Sequence, residues 1–243
     1  MKKTNFIRGL PFLSAVLAWL SYPWVDLSFL AWVSYLPLLF YITEISKESG
    51  FFRPGLIFIA RPGFRALWPV YLAGFLFFAS GLFWLRHVTW AGLVVIPLVL
   101  ALYWLVFAIG GYFIMRSFSI LYAAFLIPAL WVLLEYLRSF LMTGFPWLFA
   151  GHTQYRWLAF IQITDIFGVY VISFIILFVN MVILALVNER LRVSSRSIVL
   201  IAITAIIFTA VLLYGATRLK GLAVKDGPVI GIVQANIEQS LKV

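Results

Sequence analysis

The stretch "WAGLVVIPLVLALYWLVFAIGGYFIM", residues 90–115, contains no charged side chain. A helix rises ~1.5 Å per residue, so ~20 apolar residues cross the ~30 Å hydrocarbon core of a bilayer. This stretch is long enough to do so, and it is apolar all round rather than along one stripe, which suits a membrane span. Similar runs lie on both sides of it. The candidate spans are 8–24, 27–43, 67–86, 90–115, 119–138, 164–187 and 197–217. Across all 243 residues, 65% are hydrophobic and 11% charged, too little polar material to cover a soluble domain. The expected fold is an all-α polytopic membrane protein with about seven transmembrane helices. The 19% aromatic content fits a chain with many membrane interfaces, where Trp and Tyr anchor.

The first two spans are short and share the turn "SYPWVD", which allows either a tight hairpin or two full crossings. The N-terminal run lacks a clear small-residue cleavage site and reads as an uncleaved first helix. Pro97 and Pro128 fall inside apolar runs and are expected to kink those helices. Neither an internal repeat nor a low-complexity tract is present.

Orientation follows from Lys and Arg. With the N-terminus inside, the cytoplasmic segments hold 11 of them (Lys2, Lys3, Arg8; Lys47, Arg53, Arg61, Arg65; Arg116; Arg190, Arg192, Arg196), against 3 (Arg86, Arg138, Arg156) in the outer loops before the last span. That bias places the N-terminus in the cytoplasm and, after seven spans, the C-terminus outside. It also accounts for the net charge of +10 without nucleic acid, because the basic residues sit in short loops between apolar runs. The absence of cysteine excludes disulfides, Cys-ligated metal sites and a thiol nucleophile within this sequence. With two histidines, His87 and His152, neither a metal centre nor a cofactor is expected.

The longest outer loop, "RSFLMTGFPWLFAGHTQYRW" (138–157), carries the chemistry-like signal. Trp131, Glu135 and Arg138 precede it at helical spacings of four and three, so they share one face. An acidic group near a span end is costly unless paired, and Arg138 is its natural partner, giving an expected structural ion pair Glu135–Arg138. "GFPW" supplies Gly and Pro for an unusual turn, with Phe145 and Trp147 at headgroup depth. Taken alone it reads equally as an aromatic belt anchor. At the other end, "VIGIVQ" within "GPVIGIVQANIEQSLKV" (227–243) combines β-branched residues with glycine and reads as a buried strand. One strand cannot fold alone, so it is either a disordered tail or the first strand of an outer domain.

Together, "W…E…R", "TGFPWLFAGHTQ", "TDIFGVYVISFIILFVN" and the terminal "IGIVQANIEQSLK" resemble the bacterial apolipoprotein N-acyltransferase family, over essentially the whole chain in order and weakest over residues 1–66. His152 departs from the Tyr usual there, and Val243 falls where the family continues Lys-Trp. The resemblance implies that residues 1–222 form the transmembrane domain and residues 223–243 begin a truncated nitrilase-like domain. It implies an acyltransferase of the bacterial inner membrane. In that family a Glu-Lys-Cys triad takes an acyl group from phospholipid as a thioester and passes it to the diacylglyceryl-cysteine amine of an apolipoprotein, chemistry suited to a thiolate. Without a cysteine, this chain is expected to be inactive alone, and a separately encoded nitrilase-like half is one way to complete it. The substrate mouth implied by resemblance comprises Phe145, Pro146, Trp147 and Gln154, with Gln234 and Asn236 at the base of the absent site. Rival readings are a membrane anchor for a polyprenol-phosphate mannose synthase, which "VQANIEQS" disfavours, and a transporter, which would favour mid-membrane ionisable groups.

Overall fold

The computed structural model describes residues 2–48, 62–141, 144–189, 194–221 and 227–234. Its helices are α1 (Lys2–Leu20), α2 (Ala31–Ser34), α3 (Leu36–Glu48), α4 (Phe64–Gly81), α5 (Trp90–Ser117), α6 (Ile120–Arg138), α7 (Leu158–Ile161), α8 (Thr164–Phe167), α9 (Tyr170–Asn188) and α10 (Ser195–Lys220). Short 3-10 turns cover Ser28–Leu30, Phe83–His87 and Ala150–Gln154. Among the described residues six stretches are long and apolar enough to cross a membrane, and Phe6–Leu20 within α1 is a shorter apolar helix. The chain is a helical multi-pass membrane protein.

The helices alternate in direction and gather two ends. Residues 21–30, 82–90, 144–169 and 214–221 meet at one end, where Gln154 reaches Ser28, Arg156 pairs with Asp26, Trp84 packs on Trp147, and Tyr214 and Arg218 reach Asp165. At the opposite end lie Lys47, Arg65, Arg116 and Arg196. α5 and α6 run through Pro97 and Pro128, both buried among neighbouring helices.

Two of the expected spans are interrupted, each for a local reason. The second is split into the 3-10 turn, α2 and α3. Pro37 has no N–H and its ring crowds the carbonyl four residues back, which favours a break there. Side chains from other helices satisfy the freed backbone. Leu38 N donates to Ser14 Oγ at 2.8 Å, and Tyr35 N donates to Asn180 Oδ1 at 3.0 Å. Asn180, fully buried in α9, donates in turn to Ala31 O at 3.1 Å. The expected span 164–187 divides at Gly168, whose φ of +68° ends α8 and starts α9 in a new direction.

No strand forms among the described residues. Residues 227–234 carry no regular secondary structure, and Val229, Ile230, Ile232 and Val233 are exposed, as a would-be strand without partners leaves them.

Candidate functional site

The last two turns of α6 project Trp131, Glu135 and Arg138 into the protein, where all three are buried. The spacing argument for a shared face therefore holds, but the expected ion pair does not. No carboxylate oxygen of Glu135 lies within 4.0 Å of an Arg138 nitrogen; the ion pairs among the described residues are Glu44–Lys47, Asp26–Arg156 and Asp165–Arg218. Glu135 Oε1 instead accepts from Trp131 Nε1 and from the backbone N–H of Ala150, each at 2.8 Å. Arg138 lies between two rings, 5.1 Å from the Phe78 centroid and 4.9 Å from that of Phe149, and donates to Leu148 O at 3.4 Å. The carboxylate takes the free N–H at the start of the 150–154 turn, where the first donors of a helix lack partners. The guanidinium takes aromatic faces and a carbonyl.

These contacts fold the loop back onto the bundle. Phe145 N donates to Arg138 O at 2.8 Å, closing the turn after α6. Gly144 sits there at φ +80°, and a Cβ on it would collide with the Ser139 carbonyl, so the glycine of "GFPW" is required by the backbone. Leu148 also adopts a left-handed φ, 61°, and is buried; holding a branched side chain there costs about 1–2 kcal/mol. Its neighbours hold it: Arg138 on its carbonyl, and Ala150 bound to Glu135. His152 stacks on Phe149, ring centroids 5.3 Å apart, and its Nδ1 accepts from Phe149 N at 3.3 Å. Burial, with the Arg138 charge adding to it, pushes the His152 imidazole below its ordinary value and keeps it neutral.

Phe145, Pro146 and Trp147 form a rim on this loop: Phe145 is half-buried against the core, while Pro146 and Trp147 are exposed. Trp147 packs on Trp84, ring centroids 5.2 Å apart. Gln154 does not join them. It is buried, and Nε2 donates to Ser28 O and Thr153 Oγ1, both at 2.9 Å, pinning the loop to the turn before α2. It also forms one wall of an open pocket of about 400 Å³ shared with Ser28, Phe29, Trp32, Arg156 and Trp157. Gln234 is exposed in the irregular segment 227–234, and Asn236 lies outside the described residues. Sequence reasoning missed Trp84 and the Ser28 carbonyl. Nothing in the local sequence of either connects it to residues 138–157; only the folded bundle does.

The arrangement presents aromatic faces, a strained turn and buried anchors. Among the described residues no three His, Asp or Glu side chains converge as a metal site.

Residues 14–182 match the family described as Apolipoprotein N-acyltransferase N-terminal domain. The chain is similar to the apolipoprotein N-acyltransferase of Geobacter metallireducens, 33% identical over 95% of this chain and 43% of the relative. It is likewise similar to those of Coxiella burnetii (34% identical, 73% of this chain, 38% of the relative) and Pasteurella multocida (32%, 77% and 38%). The chain thus spans about two-fifths of the length of these curated relatives. With the family match covering more than half of the sequence, and an extended match to relatives at a third identity, the chain belongs to the apolipoprotein N-acyltransferase family.

Proposed function

We propose that this chain is the membrane part of an apolipoprotein N-acyltransferase, in which residues 1–222 hold lipid substrates beside a nitrilase-like catalytic part that begins at residues 223–243. The observation that carries the reading is the ordered match of nearly the whole chain to the first two-fifths of enzymes bearing that name. The reaction moves a fatty acyl group from a phospholipid to the lipidated N-terminal cysteine of an apolipoprotein. A thioacyl intermediate needs a thiol, which this sequence does not contain, so the covalent chemistry belongs to the nitrilase-like part, encoded with this segment or separately. The role of this chain is positional: Phe145, Pro146 and Trp147 border the entry for the two lipids, and Gln154 holds that border to the bundle. Gln234 and Asn236 lie at the base of the catalytic domain. In this reading the protein sits in the bacterial inner membrane with its N-terminus cytoplasmic and loop 138–157 outside, as the Lys and Arg distribution favours.

Grafting residues 1–222 onto the remaining part of the Geobacter relative tests the proposal. Mass spectrometry of lipoprotein N-terminal peptides from cells depending on the chimera should find the amide-linked acyl group. Absence of that group from a chimera that inserts normally would overturn the assignment. Insertion is read separately: a reporter active only outside the cytoplasm should be active after Gly221 and silent after Arg192.

A further inference from the structure

Beneath the loop, between α4, α5 and α6, lies a small cavity with about 20 Å³ open to the centre of a water-sized molecule, enough to admit water. Most of its lining is apolar, including Trp131 and Leu134, but Trp104, Glu135 and Arg138 also border it. One polar atom of each of these last three is buried without a hydrogen-bond partner in the protein: Trp104 Nε1, Glu135 Oε2 and Arg138 Nη1. The residues themselves are 1%, 3% and 4% exposed, so bulk solvent does not serve them. Half of the six such atoms found among the described residues thus belong to one cavity. The Ser173 hydroxyl also faces the carboxylate, but it leaves the guanidinium and indole donors unserved.

A dry cavity would leave one carboxylate oxygen, one guanidinium nitrogen and an indole N–H buried without a hydrogen-bond partner, which is costly away from water. The three atoms are complementary to one kind of ligand. Two are donors and one is an acceptor, whereas an anion would be repelled by Glu135 and a cation by Arg138. Water accepts from both donors and donates to the carboxylate, and buried waters ordinarily make about three such bonds. We infer that this cavity binds water, one or two molecules, bridging Arg138 Nη1, Trp104 Nε1 and Glu135 Oε2. Glu135 and Arg138 are then a solvent-separated pair, which explains how two buried opposite charges share a helix face without touching. The inference does not depend on the acyltransferase reading.

Radiolytic footprinting of the intact chain in lipid nanodiscs tests it, because hydroxyl radicals formed from bound water oxidise the side chains around that water. In ¹⁸O-water, Trp104 and Trp131 should take up the heavy label at least tenfold above Phe160 and Phe178, after correction for intrinsic reactivity. Those two phenylalanines are fully buried, as Trp104 nearly is at 1% exposed, whereas Trp131 is 7% exposed, so Trp104 carries the comparison; both phenylalanines lie away from the cavity. Labelling of Trp104 and Trp131 no greater than that of Phe160 and Phe178 would overturn the inference. Leu134→Phe narrows the cavity and should reduce the label at Trp104. If that variant folds and keeps the full label, the water lies elsewhere and the inference fails; if it does not fold, the wild-type comparison decides.

Discussion

The loop 144–154 and helix α10 meet the same end of the bundle and are held there by opposite means. The loop is tied from within: Glu135, Arg138 and Gln154, all buried, bind its backbone or fix it to another segment. α10 is tied from without. Only 17% of its spanning window is buried, against 61% for α9, although the two helices are about equally apolar. It is attached by the stacking of Phe208 on Phe160, by a close approach of Gly215 to Ala159, and by the partly exposed Asp165, which meets Tyr214 and Arg218. In a bilayer apolar surface needs no cover, so hydropathy does not report which helix is central. Polar groups do report it, because they must find partners inside the protein.

The largest expected effect breaks the inner tie. Glu135→Ala leaves Arg138 buried without a counter-charge and strips the Trp131 and Ala150 N–H groups of their acceptor, so it should cost about 3–5 kcal/mol of unfolding free energy. Denaturant titration in mixed micelles measures this. On α10, Ile206→Ala at an exposed position should stay within about 0.5 kcal/mol. Equal losses from the two substitutions would erase the distinction between the regions.

Next is Gly215→Leu. A side chain at this position runs into the Ala159 backbone, and overpacking of this kind costs about 1–3 kcal/mol. Because the outer ties are local, limited proteolysis should then cut around residues 194–221 while the loop 144–154 stays resistant. Simultaneous cleavage of both would show that the two regions are coupled.

A smaller effect should follow pH. His152 is held below its ordinary value of 6.5 by burial and by Arg138, so the folded protein binds fewer protons there than the unfolded chain. Its contribution to stability is therefore full above about pH 6.5 and declines as the pH falls below that value. The melting temperature of the wild type should drop more between pH 7 and 5 than that of His152→Gln. Parallel curves would remove His152 from the loop's support.

The smallest is Asp165→Asn. The carboxylate is paired with Tyr214 and Arg218 at a partly exposed site, and such pairs are worth about 0–1 kcal/mol. A loss well above that range would promote this surface contact to a main fastening of α10.

The spans of α5 and α6 were legible in the sequence almost to the residue, because long uncharged runs between polar ends allow one solution. The glycine of "GFPW" was also legible, since the chain needs a left-handed turn there. What was not legible depended on distant partners. Pro37 marks a break in principle, but only the arrival of Asn180 and Ser14 shows how the freed N–H groups are satisfied. Glu135 and Arg138 were placed on one helix face, which the structure shows to be buried, and were expected to pair directly, whereas no direct ion pair joins them. Helical spacing fixes which side chains are neighbours, not whether a backbone N–H from a following loop reaches the carboxylate first. Gln154 carried the same ambiguity: "GHTQ" does not reveal that its amide is occupied by Ser28, 126 residues earlier.

The break before α3 also sets a timetable for synthesis. Tyr35 N and Asn180 Oδ1 are 145 residues apart in the chain. At roughly 5–20 residues per second, a ribosome needs about 7–30 s to reach Asn180 after making Tyr35. For that interval the early segment carries open backbone groups that its final partner cannot yet satisfy. A hydrated insertion channel can tolerate such groups, and hydrocarbon cannot. The first third of this chain should thus linger beside the insertion machinery and enter lipid only when α9 emerges, making the fold one that closes from its C-terminal side backwards.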